Sequence, residues 1–387
     1  MNRQLVVALL AFATVFAGVP APAAAAVGQA APHQTATCTF PVTVTDATGT
    51  DVTIAEDPER VVTTNPSAAQ TMWELGARDE VVGVSQYATY LDGAAEKGNV
   101  SGSGGLNVEA VIGLEPDLVL VPNSSYNAEP DRIEQLRSAD ISVVVFESGK
   151  SLDAVADKVE RVGRMTGNCE AGVERASEMR ESMQHMEQAL DGAERPVGLN
   201  SFFGYSSGLG TFISDIMTTA GLRNGAAEAN LTGFVQINEE RVVEMNPEYI
   251  VVPDHAPVPS SPAYNSTTAI QEGNVIVIEA HKLQQPAPRA IEASEAILEA
   301  VHPDAYERYR QLETESATES PESATEDATE TTTAADATAT DATETDAAES
   351  TATTGSSEST TESDAPGFGV VAGLAAVGAV VLLARRR

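Results

Sequence analysis

The sequence predicts an α/β protein of two similar lobes joined by a long rigid helix. Three observations carry that expectation: a short block that occurs twice, a strand–loop–helix unit ahead of each copy, and a Pro-free helical stretch between the two sets. Repeated units that each run into an apolar strand argue for two lobes rather than one long sheet.

The repeated block reads Asn107-Val108-Glu109 through Pro116, followed by Asp117–Val121. It returns as Asn238-Glu239-Glu240 through Pro247, followed by Glu248–Val252. In both copies Asn precedes Glu by two positions and Pro by nine. Asn is a good helix N-cap, and an acid in the first turn is favoured by the helix dipole. Proline restricts the residue before it and closes the helix. The apolar, β-branched run that follows fits a buried parallel strand.

Upstream, Arg60–Thr64 reads as a strand, Asn65-Pro66-Ser67 as a turn and 68–75 as a helix stopped by Gly76. The second unit has Pro196–Asn200 as strand, a glycine-rich loop at Gly204–Gly210 and a helix over 211–220 stopped by Gly221. Between them, Leu152, Val155, Val159 and Val162 keep helical spacing. A second run, 171–190, carries Met179, Met183, Met186 and Leu190 as packing residues. The boundaries predicted are a first lobe over 27–150, linker helices over 151–195 and a second lobe over 196–310.

The two ends read as addresses. Residues 1–26 have a basic Arg3, an apolar run Leu5–Ala17 and small residues at Ala21–Ala26, the pattern of a secretory signal peptide. An uncleaved anchor is the alternative. Residues 311–365 hold 15 acidic and no basic residues in a background of Thr, Ala and Ser, which predicts a disordered acidic stalk suited to O-glycosylation. Residues 366–387 run from Pro366-Gly367-Phe368 through an apolar segment to three arginines. This tripartite tail resembles the sorting signal of archaeal surface proteins, which implies an archaeosortase-like enzyme that exchanges the tail for a lipid. A plain transmembrane anchor is the alternative, and both put the protein on the outer face of the cell membrane. Sequons at Asn99, Asn123, Asn230 and Asn265 are candidate glycan acceptors.

Charge excludes a class of partner. The chain carries a net −35 and four lysines, so it repels nucleic acid. The span 27–310 alone holds 42 acidic and 18 basic residues, a net −24 that resembles proteins of extreme halophiles. Five histidines in no ligand pattern, and two cysteines, give no metal site. The two cysteines, Cys38 and Cys169, are expected to form a disulfide in a secreted protein. No nucleophile elbow or phosphate loop occurs, so no enzyme is expected.

Residues 40–309 bring these features together. The order of secretion signal, α/β lobe, long helix and α/β lobe resembles the substrate-binding proteins of ABC importers. The run Arg60-Val61-Val62, Asn65-Pro66-Ser67, Glu74-Leu75-Gly76 and Val82-Gly83-Val84 is similar to the opening of their vitamin B12 and iron-siderophore branch. The resemblance implies two Rossmann-like lobes in the class III periplasmic-binding-protein fold. It also implies a monomeric receptor that takes no cofactor, binds a corrinoid, and hands it to an ABC permease with its ATPase subunit. A ferric-siderophore or haem receptor is the nearest alternative; a structural or adhesion protein of the cell surface is an alternative from another class.

By the same resemblance, Glu109 and Glu240 stand where the family docks one acid per lobe onto permease arginines. Candidate ligand-wall residues are Tyr87, Tyr90, Phe202, Phe203, Tyr205 and Phe234. Of these, Tyr87, Phe203 and Phe234 align with aromatic contacts of the B12 branch. His281 and Gln285 occupy places where that branch carries an acid and an arginine, so they join the candidate set as a departure from the pattern. Trp73, the one tryptophan, falls inside the first helix.

Overall fold

The computed structural model describes residues 37–147 and 149–319. The signal segment 1–26, most of the stalk and the Pro366-Gly367-Phe368 tail lie outside the described residues.

A hairpin opens the described chain, β1 (Val42–Thr45) against β2 (Asp51–Ile54). The first lobe follows with β3 (Val61–Thr63), α1 (Pro66–Glu74), β4 (Val81–Val84), β5 (Gly98–Asn99), α2 (Val108–Gly113), β6 (Leu118–Pro122), α3 (Pro130–Arg137) and β7 (Ser142–Phe146). Its five strands are parallel in the order β5-β4-β3-β6-β7. β6 is buried along its whole length, as both faces of this sheet are covered.

Two linker helices come next, α4 (Leu152–Met165) and α5 (Cys169–Ala189). They pack backbone to backbone: a Cβ on Gly163 would come within 2.6 Å of Asn168 O and 2.8 Å of Gly172 Cα. The disulfide Cys38–Cys169, with Cα atoms 5.5 Å apart, fastens the N-terminal segment to the start of α5. Met179, Met186 and Leu190 are buried in the main core, the packing role expected of them.

The second lobe repeats the first. It contains β8 (Val197–Asn200), β9 (Tyr205–Ser207), α6 (Phe212–Thr219), β10 (Arg223–Asn224), β11 (Phe234–Gln236), α7 (Glu239–Met245), β12 (Tyr249–Pro253), β13 (Val275–Ile278) and α8 (Ala290–Val301). The parallel sheet runs β10-β8-β12-β13, and β9 pairs with β11 as a separate antiparallel ribbon.

The repeat holds at atomic detail. Asn107 Oδ1 accepts from Ala110 N at 3.1 Å, and Asn238 Oδ1 from Arg241 N at 2.9 Å, so both helices start on the expected cap. Eight residues on, Glu115 (φ 46°) and Asn246 (φ 37°) both turn left-handed before their prolines. Two residues beyond that, Asp117 accepts from Arg60 N (2.9 Å) and Glu248 from Val197 N (3.0 Å), each tying the start of its lobe's first strand.

The lobe boundary at 310 and the stalk beginning at 311 require correction. The helix α9 (Pro303–Glu319) continues nine residues into the stretch read as disordered. Ala305 and Tyr309 are buried one turn apart, and Tyr309 donates to Glu295 Oε1 at 2.7 Å. Glu313 reaches His185 Nδ1 on α5 at 2.6 Å. Composition averaged over the 55 residues of 311–365, 15 of them acidic, hid an amphipathic start that has a docking face.

Candidate ligand site

In both lobes the first strand has its successors on opposite sides, so the strand order reverses between β3 and β6 and between β8 and β12. The crevice at the carboxyl ends of such strands is where open α/β sheets hold ligands. The loops that leave these ends carry most of the candidate residues.

Tyr87 follows β4 on a single 3-10 turn, Gln86–Ala88, and is 68% exposed. Phe202 and Phe203 follow β8. Phe202 and Tyr205 exchange backbone hydrogen bonds of 2.9 and 2.8 Å around a two-residue turn, Phe203-Gly204. Both turn residues have positive φ, 46° and 83°. A left-handed bulky residue is costly, and Gly204 relieves only its own position. The turn thrusts Phe203 outward at 56% exposure, edge-on to Phe202 with ring centroids 5.0 Å apart. Phe234 stands at the other end of the β9–β11 ribbon, opposite Ser207, and is 60% exposed. Tyr205 is half-buried in the same ribbon. Three large aromatic faces are thus left in water at loops and edges rather than on a core stripe.

Tyr90, His281 and Gln285 do come together, but in a seam between the lobes. The Tyr90 hydroxyl donates to Gln285 Oε1 at 2.6 Å and accepts from Gln70 Nε2 at 2.9 Å. Its ring stacks on His281 with centroids 4.7 Å apart. Gln70, buried in α1, also donates to His281 O (3.1 Å) and accepts from Arg289 N (3.0 Å). Arg289 Nε donates to Glu74 Oε1 at 2.8 Å. Burial raises the Tyr90 pKa and lowers that of His281, each in the direction that favours the neutral form. The sequence order of these residues, some 200 positions apart, gives no sign of this meeting; Gln70 in particular was missed, because a glutamine in the middle of a nine-residue helix carries no local sign that it is buried.

His255 was also missed. It follows β12 directly, with its ring 5.5 Å from Phe202 and 6.0 Å from Phe203. Among the described residues, no group of three or more His, Cys, Asp or Glu side chains could hold a metal ion. Glu109 and Glu240 are both exposed at the second position of their helices.

The fold and its strand-end crevices define a two-lobe solute receptor of the α/β class. The chain belongs to the periplasmic binding protein family, whose profile matches residues 61–281. These proteins bind solutes rather than catalyse reactions, and the chain is no enzyme. A second match covers residues 365–387, the PGF-CTERM motif, so the protein is a secreted one anchored at the outer face of an archaeal membrane. Among the described residues no helix is long and apolar enough to cross a membrane.

The chain is 42% identical over 280 residues to a cobalamin-binding protein of Halobacterium salinarum, covering 68% of this chain and 75% of that one. Solved structures show the same fold. The apo periplasmic haem-binding protein RhuT of Roseiflexus sp. RS-1 superposes with a TM-score of 0.57 at 23% identity, over 65% of this chain and 99% of its own. The periplasmic vitamin B12-binding protein BtuF of Vibrio cholerae gives 0.54 at 22% identity, over 66% and 98%.

Proposed function

We propose that the protein captures a corrinoid of the cobalamin type outside the cell and delivers it to an ABC permease. The observation that carries this reading is the set of exposed aromatics, Tyr87 from one lobe and Phe203 and Phe234 from the other. Leaving three such faces in water forgoes roughly 25 cal/mol for each Å² of apolar area, and their recovery requires a broad apolar ligand. The 42% identity to a cobalamin-binding relative supports the same class.

The cations near the seam favour a ligand with few negative groups. Arg289 is held by Glu74 at 2.8 Å, and Lys282 by Glu279 and Glu292 at 2.7 and 3.1 Å. A ferric siderophore with anionic arms would have to compete for them, whereas a corrin ring with neutral amide arms would not. Delivery rests on Glu109 and Glu240, matching acids on matching helix starts, which would set the orientation of docking on a basic permease surface.

Calorimetric titration of the purified protein in multimolar salt tests the ligand. Cyanocobalamin is expected to bind at micromolar Kd or tighter, and Phe203→Ala to weaken it by about tenfold, or 1.4 kcal/mol. Binding of a ferric siderophore or of haem, with none of cyanocobalamin, would keep the receptor and overturn its ligand.

A further inference from the structure

His255 is placed for a role that the aromatic residues cannot fill. It leaves the end of β12, and Phe202 and Phe203 leave the end of β8, the two strands that flank the reversal point of the second lobe. Its side chain is 46% exposed, and its Nδ1 lies 3.6 Å from Asp254 Oδ1. Asp254 is itself fixed, since its carboxylate accepts from Ala280 N at 3.1 Å and its backbone N donates to Ile278 O at 2.8 Å. The Asp254 carboxylate thus stands on the Nδ1 side of the ring, which leaves Nε2 as the nitrogen turned away from it. Among the described residues nothing hydrogen-bonds to Nε2.

The other histidine near the crevice is spent differently. His281 stacks on Tyr90, is 22% exposed, and has its Nε2 3.9 Å from Glu279. One available imidazole among aromatic faces cannot hold a bare ion, because no cluster of ligating side chains accompanies it. It can complete the shell of a metal whose equatorial positions are already filled by a planar macrocycle.

We propose that His255 Nε2 is an axial ligand to the metal of the bound corrinoid. This rests on the corrinoid reading above and deepens it. The step is a substitution: the Nε2 lone pair forms the nitrogen–cobalt bond, a coordinated water leaves, and neither the oxidation state nor the proton count changes. Phe202 and Phe203 would steady the imidazole plane from the side, and Asp254 would hold its rotation.

The test uses two corrinoids. Diaquacobinamide offers two water-occupied axial positions, and cyanocobalamin has both positions filled by cyanide and its own base. The whole secreted protein is titrated with each in high salt, and binding is read by calorimetry and by visible absorption. Bound diaquacobinamide is expected to take on the spectrum of an imidazole complex. His255→Ala and His255→Gln are expected to lose that spectral change and to bind diaquacobinamide about tenfold more weakly, a larger loss than either variant shows for cyanocobalamin. An unchanged spectrum on the wild-type complex, or the same change in both variants, overturns the proposal while the corrinoid reading stands. Failure of the wild type to bind either compound overturns both.

Discussion

Lys158 has the least water-like surroundings of any ionisable residue in the linker. Its ammonium is buried, donates to Pro286 O and lies 5.5 Å from the centre of the Phe146 ring. Burial, with the Arg161 charge adding to it, lowers its pKa from 10.5 to about 7. Because the folded value lies below the unfolded one, the unfolded chain binds more protons between those two pH values. Stability should therefore rise with pH across that window; the desolvation cost is present in full below about pH 7 and has gone above 10.5. A single group contributes at most about 1.4 kcal/mol per pH unit. Lys158→Met lacks this dependence, so the stability of wild type relative to the variant, from denaturant melts, should grow between pH 7 and 10. A constant difference would mean that the amine stays charged and solvated. The sequence showed this lysine only as one of four; its burial depends on Pro286, more than a hundred positions away, which no local pattern encodes.

At the scale of elements, the helix starts are the most legible feature. An Asn, an acid two places on and a Pro nine places on are local signals, and they resolve into cap, first turn and left-handed exit in both lobes. The same locality explains what was not legible. Whether an aromatic residue is open or engaged depends on the other lobe: Tyr87 and Tyr90 sit three residues apart, yet one is bare and the other is bonded to Gln70 and Gln285. His255 escaped notice because its neighbours in space, Phe202 and Phe203, lie on a different strand end. The end of α9 was misjudged because its docking face lies within a low-complexity composition. The paired starts of α2 and α7 make a functional prediction of their own. Glu109→Lys with Glu240→Lys should leave ligand affinity within about threefold, since neither acid is among the aromatic residues of the candidate ligand wall. The double variant should lose stimulation of the permease-linked ATPase in a reconstituted system. Each single variant should lose part of it, and the loss should be partly masked at high salt by screening. Full stimulation by the double variant would remove these glutamates from the docking surface.

For the whole molecule, two opposing features meet. The lobes are fastened by a polar seam: Gln70, Tyr90 and Gln285 on one side, the Glu74 bridge to Arg289 and Arg175 on another, and Leu152 N donating to Asp215 at 2.7 Å. Buried partners of this kind resist separation, because a lobe that swung away would leave several of them unpaired. A receptor so fastened binds with small movements. Against this stands the net −35 of the chain, which favours expansion. The screening length is about 3 Å at 1 M salt and about 10 Å at 0.1 M. Neighbouring surface carboxylates are therefore shielded from one another only in concentrated salt. Thermal melts across a potassium chloride series should show Tm falling steeply from multimolar salt to 0.1 M, with the transition broadening as the seam loses cooperativity between lobes. The Cys38–Cys169 bridge should limit the loss, so the same series under reductant should fall further, by an amount corresponding to about 2–4 kcal/mol at each salt. A Tm independent of salt would show that repulsion among the surface carboxylates adds little to unfolding, and that the packing of the two lobes, rather than the solvent, sets the conditions in which this receptor can work.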